Sequence, residues 1–133
     1  MSNVDTVKDI YTAFGQGDIP AILGKLAGDV EWDVDSPAPE VPWLSPRRGR
    51  DNIGAFFQSL APLDFTTFAP HTFFEDGNKV MALIHIAAIH KPSGKKYEIK
   101  NEGHLWHFDG SGKVRSYEHI TDTATHVAMS RGE

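Results

Sequence analysis

Residues 101–122, NEGHLWHFDGSGKVRSYEHITD, hold two imidazoles, a phenol and an indole at strand spacing. Alternation on the two sides of the turn Asp109-Gly110-Ser111-Gly112 places His104, Trp106, Tyr117 and His119 on one face of a hairpin. Such side chains are an unusual way to build an ordinary core and a reasonable way to line a pocket that holds a flat organic molecule and moves protons. An imidazole with an ordinary pKa of about 6.5 gives or takes a proton near neutrality. His104 is therefore the main acid–base candidate and His119 its partner. Pairing Phe108 with Lys113 across the turn sets His104 opposite Tyr117 and Glu102 opposite His119, where a carboxylate would orient the ring and stabilise its charged form. A bulge at the turn would move that register by one.

Other residues extend this set. Tyr11 lies on the apolar stripe of the first predicted helix and is expected to line the pocket, its phenol needing a partner if buried. Phe14 on the same stripe and Phe56 on a later helix are expected beside it. Asp122, at the end of the last strand, is a candidate acid or base; before Thr123-Ala124-Thr125 it also has the form of a helix N-cap. Asp33 and Asp35 flank Val34 on the polar side of an early strand and read as solvated carboxylates unless a bend turns one inward. Trp32 belongs in the core or the pocket wall. Trp43, in a Pro-rich loop, caps the pocket mouth or packs across a subunit interface. Arg50 could reach an anionic group on a ligand.

Composition excludes several classes. The 133 residues carry a net charge of −5, with Arg47-Arg48-Gly49-Arg50 the nearest approach to a basic run. No nucleic-acid or anionic-membrane partner is expected. The absence of cysteine rules out disulfides, thiolate catalysis and Cys-bound zinc. None of the seven histidines forms a His-x-His or helical His-x-x-x-His pair, and His104 and His107 point to opposite faces of their strand. No metal site is expected. With no Gly-rich phosphate loop, nucleophile elbow or dinucleotide fingerprint, no cofactor is expected either. MSNVDTVKDIYTAF lacks the basic-then-apolar form of a secretory signal, so a cytoplasmic location is the default expectation.

The elements that must position the pocket follow from periodicity. Val4, Val7, Ile10, Tyr11 and Phe14 fall at helical spacing; Asp18 caps a second, short helix that carries Ile22 and Leu26 inward and closes at Gly28. Val30, Trp32 and Val34 alternate as a strand. A loop with four prolines precedes a third helix, capped near Asp51 and carrying Ile53, Phe56, Phe57 and Leu60. Strands then follow over 65–75, 80–90, 96–108 and 113–121, with a helical turn and a frayed tail over 123–133. Val80–Ile89 is apolar on both faces, so one face meets the helices and the other a partner subunit, a homodimer through the outer sheet face. Helices first and a meander afterwards give a single α+β domain over 1–133. Its antiparallel sheet curves strongly around the N-terminal helices and leaves a cone-shaped cavity for a small hydrophobic molecule.

Three segments, IYTAFGQGDIPAILGKLAGDVEWDV, RGRDNIGAFFQSL and HLWHFDGSGKVRSYEHITDTAT, together resemble the nuclear transport factor 2-like superfamily, in particular its SnoaL-like polyketide cyclase and ketosteroid isomerase-like branch. The resemblance implies the cystatin-like α+β barrel and cofactor-independent acid–base chemistry of the isomerase, cyclase or dehydratase type. It also implies that Tyr11 takes the place of the isomerases' first-helix tyrosine. His104 falls where those enzymes carry a protonated aspartic acid and the cyclases a histidine. The isomerases' first-strand base falls near Val34, which is a departure, and the cyclases' last-strand aspartate falls near His119 or Asp122. A non-catalytic binding or dimerisation module with the same cavity is the competing expectation.

Overall fold

The computed structural model describes residues 2–133. Helix α1 (Asn3–Gly15) starts at a capping box in which the Ser2 hydroxyl accepts from the Asp5 amide and the Asp5 carboxylate accepts from the Ser2 amide. Gly17 turns the chain at φ 68°, a left-handed conformation that needs no Cβ penalty. Asp18 caps α2 (Ile19–Leu23), accepting from the Ala21 amide. This helix stops at Gly24, so Leu26 and Gly28 belong to strand β1 (Leu26–Trp32) and not to the second helix. A single helical turn over Pro42–Leu44, the two-residue strand β2 (Arg47–Arg48) and a turn over Arg50–Asn52 lead into α3 (Ile53–Ser59), which has no side-chain cap.

The long strands β3 (Leu63–Asp76), β4 (Lys79–His90), β5 (Lys96–Phe108) and β6 (Val114–Ile120) form the expected meander, and α4 (Thr123–Arg131) closes the chain. Strand order is β2-β1-β6-β5-β4-β3. All neighbours are antiparallel except β1 and β6, which run parallel, and β2 does not meet β3, so the sheet is curved but open. Among the described residues no helix is long and apolar enough to cross a membrane.

Two bulges set which side chains face inward. Ile84 pairs with Glu102 and Ile86 with Ile99, so β5 carries one extra residue there. The inward parity of β5 thus switches from Ile99 to Glu102, His104 and Trp106. On β6 the extra residue is Arg115: Phe108 pairs with Val114 and His107 with Ser116. The final hairpin therefore departs from simple Phe108–Lys113 pairing. His104 faces His119, and Trp106 faces Tyr117. Val7, Ile10, Ile22, Val30, Ile53, Ile84 and Phe108, all under 4% exposed, form the core between the helices and this inner face.

Candidate active site

The inner face and helices α1, α2, α3 and α4 line a cavity of about 60 Å³ that is open on one side. Tyr11, Phe14, Trp32, Trp43, Phe56, Glu102, His104, Trp106, Tyr117 and His119 all line it. Two expected site residues do not. Asp122 is exposed and spends its carboxylate as the α4 N-cap, accepting from the Thr125 amide at 3.1 Å. Arg50 is exposed too, reaching only the Leu26 carbonyl at 3.5 Å. Neither can touch a molecule in the cavity.

His104 sits at the centre of a chain of hydrogen bonds. The Glu102 carboxylate accepts from its Nε2 at 2.8 Å, so the ring proton is on Nε2 and Nδ1 accepts from the Tyr11 hydroxyl at 2.8 Å. Trp106 Nε1 donates to the same Tyr11 oxygen at 3.1 Å. Glu102 is 3% exposed and also accepts from His126 Nε2 and from Thr121 Oγ1 at 3.0 Å. Behind it Trp43 Nε1 donates to His126 Nδ1 at 2.8 Å, which fixes the His126 ring proton on Nε2. Glu102 thus serves His104 and His126, and does not stand opposite His119 as the simple register had it.

His119 has a different carboxylate. Asp33, just beyond β1, adopts φ 53° and is 3% exposed, so it is neither solvated nor part of a continuing strand. Its Oδ1 accepts from the His119 amide and its Oδ2 from His119 Nδ1, both at 2.8 Å. The left-handed backbone at an aspartate is a local strain that this two-point contact holds in place. His119 Nε2 meets the Tyr117 hydroxyl at 3.1 Å. Asp35 remains exposed.

Electrostatics separate the two rings. Burial lowers the His104 pKa below its ordinary value, with the Glu102 contact opposing only in part. Burial pushes His119 the same way, but the Asp33 hydrogen bond and charge outweigh it and the net shift is upward. Burial would raise Glu102, yet the His104 and His126 hydrogen bonds hold it well below the carboxylate range. Burial raises both phenols, Tyr11 and Tyr117, so they stay protonated.

Within one strand the histidines diverge, but β5–β6 pairing brings possible ligand atoms of Glu102, His104 and His119 within 4.8 Å of one another. The spacing argument against metal did not reach this cross-strand cluster. The hydrogen bonds of these three side chains are met between His104 and Glu102 and by Tyr11, Tyr117, Asp33, Thr121 and His126. Of the two further site members, Asp33 is the first-strand carboxylate that a bend turns inward, and only His126 is absent from the sequence reading. His126 lies in the segment expected to form a helical turn and a frayed tail, which is the helix α4.

An open curved sheet with helices closing one side over a largely apolar, aromatic-lined cavity defines the cone-shaped α+β class. The SnoaL-like domain model matches residues 7–117, and the chain belongs to that family. An NTF2-like protein of Burkholderia pseudomallei is similar over 97% of this chain and 98% of its own, with 28% identity and a TM-score of 0.82. One from Burkholderia thailandensis matches over 98% of both chains, at 26% identity and a TM-score of 0.84. TerC, crystallised with polyporic acid, shares the fold at 22% identity and a TM-score of 0.80, over 97% of this chain and 98% of its own. No curated protein sequence matches.

Proposed function

We propose that this protein binds a small, largely apolar ring compound bearing a carbonyl or hydroxyl group and catalyses proton abstraction and return on it, as an isomerase, cyclase or dehydratase that needs no cofactor. The observation that carries the reading is a pair of carboxylate–imidazole–phenol chains, Glu102–His104–Tyr11 and Asp33–His119–Tyr117, facing one cavity. Groups whose environments push their pKa values apart divide acid from base. His104, lowered, is the base: an acidic substrate proton passes to the Tyr11 oxygen while the Tyr11 proton moves to His104 Nδ1, and Glu102 stabilises the imidazolium. His119, raised, is the acid: its Nε2–H supports the Tyr117 oxygen, which frees the Tyr117 proton for the substrate oxygen. Such positioned transfer contributes about 10² to 10⁴ in rate.

The test is α-proton exchange of 2-tetralone in D2O, followed by NMR. Exchange above the buffer rate that drops at least tenfold in both Tyr11→Phe and Tyr117→Phe is the expected result. Binding of the ketone with exchange at the buffer rate would favour a second reading, a binding module without chemistry. That reading draws on the full internal satisfaction of His104 and on the polyporic acid in the TerC structure, a precedent for an organic ligand on this fold.

The outer sheet face supports a homodimer as part of the proposal. Phe74 and Ile120 are 58% and 50% exposed there, beside the half-buried Met81, Leu83 and Leu105. Sedimentation at micromolar concentration should give twice 14.7 kDa; a stable monomer would remove the dimer from the proposal.

A further inference from the structure

The cavity is small for the compound it would hold. At about 60 Å³ it has less than half the roughly 150 Å³ of an apolar protein cavity that takes up benzene. A ring compound seated there overfills it and extends through the open side. A wider groove of about 540 Å³ adjoins the cavity, and Phe14, Phe57, Leu60 and Phe65 line both.

One wall of the groove is a single face of α3 and the turn that ends it. Gly54, Phe57, Gln58 and Ala61 lie there at spacings of i, i+3, i+4 and i+7. Gly17 and Ile19, where α1 passes into α2, supply a second wall. None of the residues lining the groove is charged, and Gln58 alone among them carries a polar side chain. A charged group laid along it would lose hydration without gaining a partner. An apolar chain gains about fourfold in affinity for each methylene it buries.

Gly54 marks the path. It is the second residue of α3, its backbone is not left-handed, and a Cβ there would meet no atom within 4 Å. Glycine weakens a helix relative to alanine, so this position gives up helix stability that neither backbone nor packing requires. A side chain at Gly54 would stand in the open space of the groove.

We infer that the ligand of this protein is elongate, with a ring head bearing its carbonyl or hydroxyl in the cavity and an uncharged, apolar tail along the groove over Gly54. This deepens the reading of the cavity as a site for ring compounds and rests on it, but not on turnover.

The probes are acetophenone and 4-hexylacetophenone, which carry the same head and differ in a tail at the opposite end of the ring. By calorimetric titration of the wild-type protein, the hexyl chain should strengthen binding at least thirtyfold. In ¹⁵N–¹H spectra the Gly17 and Gly54 amides should move with 4-hexylacetophenone and stay nearly still with acetophenone. Gly54→Leu fills the groove while favouring the helix. It should leave acetophenone affinity within twofold and cut the gain from the tail below fivefold. Equal wild-type affinity for the two ketones, or Gly17 and Gly54 amides that stay still under saturating 4-hexylacetophenone, overturns the inference and leaves the ring-binding reading intact. An undiminished gain in folded Gly54→Leu overturns it as well. If that variant does not fold, the wild-type amide shifts decide. If neither ketone binds the wild type, the ring-binding reading fails and this inference with it.

Discussion

His104 stands directly across the β5–β6 pair from His119, their ring centroids 5.1 Å apart and their planes at 79°. Each ring leans on its own carboxylate and its own phenol. The two rings are thus in contact yet oppositely held, burial favouring the neutral form of His104 and Asp33 the charged form of His119.

That opposition predicts a bell-shaped dependence of rate on pH, with its limbs on either side of the ordinary imidazole value of 6.5. Activity falls in acid when His104 takes a proton, below 6.5, and falls in base when His119 loses one, above 6.5. Asp33→Asn should draw the alkaline limb toward lower pH. Imidazole ¹³C titration checks the assignment directly, and coincident transitions for the two rings would count against it.

Stability should follow the same groups with definite signs. Glu102 is depressed, so its contribution is complete above its ordinary value of 4.5 and is lost as pH falls through its lower folded value. His104, also depressed, withdraws stability as pH falls below 6.5, whereas the raised His119 contributes fully below 6.5 and ceases to as pH rises through its folded value. Glu102→Gln leaves two buried imidazole donors sharing one amide oxygen and should cost about 3 kcal/mol. Its melting temperature should also vary less with pH on the acid side. A variant as acid-sensitive as the wild type would contradict this account.

Gly103 separates Glu102 from His104, and a Cβ there would lie 2.8 Å from the Ile120 carbonyl oxygen on β6. Backbone cannot yield as a flexible side chain does. Gly103→Ala should therefore spread β5 from β6, lower stability by about 1–3 kcal/mol, and reduce activity more than binding. Thermal melts and the 2-tetralone assay read both effects; an unchanged melting temperature would mean that the strands adjust freely.

Asp122 caps α4, and α4 carries His126 to Glu102. Asp122→Ala should cost about 1 kcal/mol and increase amide exchange through the first turn of α4. Activity should fall only slightly, which distinguishes a cap from a catalytic acid. Loss of all turnover at full stability would restore Asp122 to the chemistry.

What was legible from sequence divides along physical lines. Helix α1, its stripe and the four long strands are written in local periodicity, and so is the shared inward face of His104, Trp106, Tyr117 and His119. The partners of those residues are not. Glu102 and His104, two apart, share a face by alternation, but the β5–β6 bulge sets His104 and not Glu102 opposite His119, and Asp33 reaches His119 through a left-handed residue that alternation does not encode. Trp43 and His126 explain each other's burial, but they come from a Pro-rich loop and a terminal helix with no shared pattern. Arg50 and Asp122 lie outside the cavity, Asp122 as the α4 N-cap that its place before Thr123-Ala124-Thr125 suggests.

The parallel contact between β1 and β6 has a kinetic consequence. Asp33 and His119 are 86 positions apart, and Tyr11 and His104 are 93 apart. Closing chain segments of that length is slow and yields nothing until both ends dock. In refolding, the fluorescence and near-UV signals of Trp32 and Trp106 should therefore mature with the slowest phase, after the local β3–β4 and β4–β5 hairpins have formed. A chain in which Asp33 has met His119 and Tyr11 has met His104 has, by that fact, finished folding.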